Sequence, residues 1–129
     1  MDLEERKTSF KKVFKRLKEV FENTKKEDEN YEIFRDSAIQ RFEITTEAFW
    51  KCVKILLMKK EGVICNSPKG CIRELFLNGY VDENDLEILL KMIDDRNLTS
   101  HTYDEEVADE IFQRLKVYLE LLTKLEVCL

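Results

Sequence analysis

The chain has 129 residues, of which 38% are charged and 43% hydrophobic, with only 3 glycines and 1 proline. So few turn formers exclude a sandwich or barrel and leave a helical bundle with short loops. The net charge of −5, from 22 basic and 27 acidic residues, excludes a general nucleic-acid binder, because basic side chains carry phosphate affinity. A local basic site stays open. The length fits a single domain over residues 1–129, large enough to bury roughly two-thirds of the unfolded surface. No apolar run is long enough to span a membrane, and the N-terminus lacks the apolar core of a signal peptide, so the expected location is cytoplasmic. Cys52, Cys65, Cys71 and Cys128 form no Cys-x-x-Cys pair, and His101 is the single histidine, so no metal site is expected. The cysteines read as buried thiols in a reducing compartment.

In chain order, Leu3, Phe10, Val13, Phe14, Leu17, Val20 and Phe21 recur at helical spacing and predict a first amphipathic helix. Lys7, Lys11, Lys15 and Lys18 lie on another face, which reads as solvated surface. A polar break follows from Asn23 to Asn30, where Thr24 or Asn30 is the candidate cap.

Tyr31 to about Lys60 predicts a long helix without Gly or Pro, closed by Gly62. It carries one stripe through Phe34, Ala38, Phe42, Thr45, Phe49, Cys52, Val53 and Leu56. A second runs through Ile39, Thr46, Trp50 and Leu57. Such a helix is contacted on two sides, by its own bundle or by a partner chain. Ser67-Pro68 starts a short helix that carries Ile72, Leu75 and Phe76 and stops at Gly79.

Asp82 is the predicted cap of the next helix, whose stripe is Leu86, Leu89 and Ile93, with Arg96 in line with it. The run Asp82-Glu83-Asn84-Asp85 is not a calcium loop, because Glu87 stands where such a loop needs glycine. The polar stretch from Leu98 to Tyr103 predicts a break near Thr99–His101. Thr102 and Glu105 form a capping-box pattern, so the last helix is expected from Tyr103. Its stripe is Val107, Ala108, Ile111, Leu115, Tyr118, Leu119, Leu122 and Leu125. The expected fold is all-α: an antiparallel four-helix up-and-down bundle with an additional short helix.

Chemistry concentrates around that break. In one continuous helix Arg96 and His101 would lie about 140° apart, on different faces. A break between them lets both side chains converge. The structural alternative is an Arg96 pair with Asp94 or Asp95 and a capping histidine. No phosphate-cradling glycine loop, Glu-x-x-His pair or Gly-x-Ser-x-Gly sequence is present.

The stretch Arg96-Asn97-Leu98-Thr99-Ser100-His101-Thr102-Tyr103 resembles the R-x4-H-x-Y motif of HEPN domains. The longer string from Asp94 to Glu106, with Arg35 to Lys51 and Ser67 to Glu83, is similar to the nucleotidyltransferase substrate-binding branch, also called HepT-like toxins. The resemblance implies a helical bundle that forms a homodimer and has a minimal nucleotidyltransferase as partner. It further implies a metal-independent ribonuclease that needs no cofactor, with RNA rather than DNA as substrate. Arg96 and His101 would be the catalytic pair, with Asn97, Asp94 and Asp95 in support. Tyr103 would be the residue that the partner silences by attaching AMP. The competing implication is a noncatalytic subunit that presents a nucleotide or other substrate to the transferase.

Metal-free RNA cleavage needs proton transfer at the attacking and leaving oxygens and positive charge on the phosphate. Histidine exchanges protons near neutral pH, and the planar fork of arginine matches phosphate oxygens. A single histidine supplies only one of the two proton-transfer groups. A two-fold dimer that joins two motifs would supply both.

Overall fold

The computed structural model describes residues 1–126 and 129. Helix α1 spans Leu3–Glu22, and the carboxylate of Asp2 accepts a hydrogen bond from the Glu5 N–H at 2.8 Å. This satisfies one of the free donors at the helix start. Leu3, Phe10, Phe14 and Leu17 are its buried stripe. Helix α2 spans Tyr31–Glu61 and ends at Gly62, whose φ of 66° is the left-handed conformation that glycine adopts without strain. It runs back along α1: Phe10 meets Phe49 with ring centroids 5.5 Å apart, and the Thr45 hydroxyl lies 3.4 Å from the Val13 carbonyl.

Both stripes of α2 enter the chain's own core. Phe42, Phe49, Val53 and Leu56 are buried on one, and Ile39, Thr46 and Leu57 on the other. The second stripe therefore needs no partner chain. Trp50 is partly buried against the same core and donates its indole N–H to Glu47 Oε2 at 3.3 Å.

Helix α3, Pro68–Leu77, starts where the Ser67 hydroxyl accepts the Gly70 N–H at 3.0 Å. Helix α4, Glu83–Leu98, is capped by Asp82. Asp85 in its first turn is held by Lys124 Nζ at 3.2 Å. A 3₁₀ turn, Thr99–His101, follows, and α5 spans Glu105–Glu126. Asp85 meets Lys124 while Asp95 meets Arg114 and Tyr118, so α4 and α5 are antiparallel. Arg35 meets Asp109 and Phe42 meets Tyr118, so α2 and α5 run parallel. These directions give the up-and-down order expected of the four long helices, with α3 as the short addition. One cluster of buried side chains joins all of them.

Two expectations need correction. The last helix starts at Glu105, not Tyr103, and the capping box does not form. The Thr102 hydroxyl is spent on the Thr99 carbonyl of the 3₁₀ turn at 3.1 Å. Asp104 takes the cap instead and accepts the Glu106 N–H at 2.9 Å, and its charge suits the positive end of the helix. Cys65 and Cys71 are not free thiols. They form a disulfide, because the turn at Ser67-Pro68 folds the chain back and brings their Cα atoms to 5.2 Å. Cys52 is a buried thiol, and burial pushes its pKa up. Cys128 lies outside the described residues.

The end of α4 is fixed from within by Asp95, which is fully buried. Its two oxygens accept a forked pair from Arg114 at 2.7 and 2.8 Å, and Tyr118 donates its hydroxyl to the same carboxylate. Burial and that bond both raise the Tyr118 pKa. Truncating Asp95 strands the buried phenol and the half-buried guanidinium together. We expect Asp95→Ala to cost about 3 kcal/mol in urea unfolding; a loss under about 1 kcal/mol would mean that the network is not a structural tie.

Candidate functional site

The break between α4 and α5 projects its residues at one end of the bundle. Arg96 stands in the last turn of α4, His101 closes the 3₁₀ turn, and Tyr103 lies in the connection to α5. His101 is exposed, and the Tyr103 side chain is 83% exposed. Their rings stand 6.1 Å apart between centroids, tilted by 59°. Neither ring is locked by a side-chain hydrogen bond among the described residues. The backbone continues the connection: the His101 carbonyl accepts the Asp104 N–H at 3.1 Å.

Arg96 is placed differently from the structural alternative, since it pairs with neither Asp94 nor Asp95. Its Nε–H donates to Glu47 Oε1 at 2.9 Å, and Nη2 lies 3.7 Å from Glu43 Oε1. Its side chain remains 30% exposed. Asp94 instead takes Lys69 Nζ at 2.6 Å and ties α3 to α4. Asp95 faces the opposite side, toward α5. Asn97 is exposed, and its carbonyl lies 3.5 Å from the Ser100 hydroxyl. Of the residues expected in support, Asp94 and Asp95 are thus engaged with Lys69 and Arg114, and Asn97 is exposed. Lys11 and Lys15 are exposed on α1, Lys7 lies 3.6 Å from Glu4, and Lys18 covers the Phe14 ring at 4.4 Å.

The sequence reading missed the residues of α2 that hold this segment. Arg35 is fully buried, with 1% of its side chain accessible. Its Nη1 reaches Glu105 at 2.8 Å and Asp109 at 3.0 Å, both in the first turns of α5. Its Nε donates to Asp36 at 3.1 Å. Burial opposes the charge of Arg35, but bonds to Glu105, Asp109 and Asp36 outweigh it and raise the pKa. Tyr31 donates its hydroxyl to Asp109 at 2.8 Å; burial and then this bond push its pKa up to about 12. The same Tyr31 bond, followed by Arg35, holds the Asp109 carboxyl below its usual range. Farther along α2, Glu43 Oε2 lies 3.1 Å from the Thr99 hydroxyl, whose shorter contact, at 2.7 Å, is the Arg96 carbonyl. A sequence signal existed for part of this. Glu43 and Glu47 are like charges four residues apart, a pair that destabilises a helix unless a cation lies between them.

This geometry offers a guanidinium with a partly open edge, an exposed imidazole and an exposed phenol. Such a set suits an anionic ligand. The described residues contain no group of three or more His, Cys, Asp or Glu side chains placed to hold a metal ion, and no helix long and apolar enough to cross a membrane.

No curated protein sequence matches the chain. Among solved structures, a protein from Thermus thermophilus is similar to it, with 40% identity and a TM-score of 0.83, over 90% of this chain and 94% of that one. A toxin–antitoxin crystallised with AMP-PNP superimposes with a TM-score of 0.75 at 18% identity, over 96% of this chain and 94% of that one. A tyrosine-to-alanine mutant of the toxin–antitoxin MntA-HpeT does so at 0.60 and 16% identity, over 95% and 97%. The latter two share the fold. The sequence profile described as nucleotidyltransferase substrate binding protein like matches residues 5–129, and the resemblance drawn from the motif segment holds: the chain belongs to that family.

Proposed function

We propose that the chain is the HEPN component of a toxin–antitoxin pair and acts as a metal-independent endoribonuclease whose partner, a minimal nucleotidyltransferase, silences it by attaching AMP to Tyr103. The observation that carries this reading is the common placement of Arg96, His101 and Tyr103 at one bundle end, with both rings exposed. In the reaction the ribose 2′-oxygen attacks the adjacent phosphorus and gives its proton to one histidine. The bond to the 5′-oxygen breaks, and a second histidine protonates that oxygen. A 2′,3′-cyclic phosphate is left behind. Arg96 carries the charge that gathers on the phosphate oxygens.

The two histidines come from two copies of the chain in a homodimer. Exposed apolar residues beside the motif support that contact: Ile44 follows Glu43 and is 40% exposed, and Leu98 in the last turn of α4 is 38% exposed. The likeness to toxin–antitoxin structures supports a partner protein. We expect the purified chain to cut single-stranded RNA equally with and without EDTA and to leave cyclic phosphate ends, read by gel and mass spectrometry. Intact RNA after prolonged incubation, or activity lost in EDTA, would overturn the reading.

The family's description favours a second reading: a noncatalytic subunit that presents a nucleotide or other substrate to the transferase. The same guanidinium would then hold the substrate's phosphate. Under that reading the chain binds ATP or another nucleotide in calorimetry and leaves RNA intact.

A further inference from the structure

The segment from Arg96 to Glu105 is fastened to α2 by polar residues on one face of that helix. Glu47 holds Arg96, Glu43 lies against Arg96 and the Thr99 hydroxyl, and Arg35 holds Glu105. We propose that Glu47, steadied by Trp50 and Lys51, is a positioning residue that fixes which edge of the Arg96 guanidinium faces an incoming phosphate. The proposal rests on the reading of Arg96 as the phosphate-binding arginine.

A guanidinium offers two forks for bidentate bonding. The lateral fork is Nε–H with one hydrogen of Nη2, and the terminal fork is Nη1 with the other hydrogen of Nη2. Both contacts of Arg96 fall on the lateral side, Nε to Glu47 at 2.9 Å and Nη2 near Glu43 at 3.7 Å. Nη1 has no hydrogen-bond partner among the described residues. The terminal fork is therefore the one left for a ligand, and the side chain is exposed enough to use it.

Glu47 is itself held, which makes it a rigid guide. Its Oε2 accepts the Trp50 indole N–H at 3.3 Å and lies 4.0 Å from Lys51 Nζ, while Oε1 faces Arg96. These donors also offset its charge, which would otherwise oppose a phosphate nearby. Ordering a long arginine side chain costs conformational entropy. Here folding has already met that cost, so ligand binding gains a pre-oriented fork. Glutamate is needed for an acceptor oxygen at that distance; its negative charge is secondary.

The test compares the full chain with Glu47→Ala and Glu47→Gln by two readouts. In the wild type the Arg96 Nε–H resonance, assigned by its loss in Arg96→Lys, should be protected from exchange with water. Glu47→Gln gives up the acceptor for Trp50 but keeps one oxygen for the Arg96 Nε–H and should retain that protection; Glu47→Ala should lose it. In RNA cleavage Glu47→Ala should lower kcat by about 10- to 100-fold with little change in KM, the scale of a misplaced catalytic group. Glu47→Gln should rescue kcat to within about threefold of wild type, and both variants should stay folded and melt within about 5 °C of it, as for loss of one partly exposed ion pair. A protected resonance in Glu47→Ala, a Glu47→Gln as impaired as Glu47→Ala, or a lost resonance with unchanged kcat would each overturn the proposal. If the wild type leaves RNA intact, the ribonuclease reading fails, and the resonance comparison still decides whether Glu47 fixes Arg96.

Discussion

If the chain is the proposed ribonuclease, His101→Ala and Arg96→Ala should each lower RNA cleavage by at least about a hundredfold while the circular dichroism of the bundle stays unchanged, because each removes a group the proposed transition state would use and neither removes a core contact. His101 is exposed, and its side chain makes no hydrogen bond among the described residues, so its loss should change stability by no more than about 0.5 kcal/mol. Arg96 is bound to α2 through Glu47 at 2.9 Å and is partly exposed. Removing it leaves two carboxylates that water can reach, at a cost of about 1 kcal/mol. Activity and stability therefore separate at both positions. Arg96→Lys is informative as well. An ammonium can stand near Glu47 but offers a point charge where the phosphate needs a planar fork, so cleavage should remain strongly impaired. The assay is cleavage of a labelled single-stranded RNA at equal protein concentration, with melting temperatures in parallel. Cleavage that persists in His101→Ala would exclude the acid–base role of that residue.

The helices were legible in the sequence wherever local chemistry decides the outcome. Ser67-Pro68, Asp82 and Gly62 mark boundaries because a cap or a left-handed residue acts within one turn. The start of α5 was misplaced because two caps compete there. Thr102 fits the capping box on spacing alone, but its hydroxyl is claimed by the Thr99 carbonyl of the 3₁₀ turn. The open end of the site was legible too, since a helix break that frees Arg96 and His101 from a fixed angular separation follows from the polar run between them. Its floor was not. Arg35, Glu43 and Glu47 read as ordinary charges of a long helix, and only the packing of α2 against α4 and α5 brings them to the motif. Arg35 in particular is a charge buried in full: it stands four residues before Ile39 and seven before Phe42, in line with the buried face, and its residue type hid what Asp36, Glu105 and Asp109 together make tolerable. The disulfide escaped for the same reason. A six-residue separation carries no signal until the turn between Cys65 and Cys71 is known.

Tyr103→Phe should keep the fold and the ribonuclease activity and escape silencing by the partner. Tyr103 lies in the connection before α5 rather than in its first turn, and its side chain is 83% exposed, so a partner's active site can reach the phenol without unfolding a helix. In the transfer the phenolic oxygen attacks the α-phosphorus of ATP, the bond to the bridging oxygen breaks, and pyrophosphate leaves with the phenol's proton passing to solvent or a base. The product is a bulky phosphodiester with one negative charge, two residues from His101. On the proposed reading that charge would compete for the same terminal fork of Arg96 that an RNA phosphate needs, and it would repel the incoming backbone, as a phosphorylation switch does. Asp104, Glu105 and Glu106 do not stand in for it. Asp104 is spent on capping α5 and Glu105 on Arg35. The experiment incubates the chain with a minimal nucleotidyltransferase and ATP, then reads intact mass and RNA cleavage. Wild type should gain AMP and lose cleavage together, in proportion. Tyr103→Phe should gain none and go on cutting, because phenylalanine keeps the ring beside His101 and removes only the attacking oxygen. If Tyr103→Phe gains as much AMP as wild type, or if modified wild type cuts RNA undiminished, Tyr103 is not the switch, and the substrate-presenting role takes precedence.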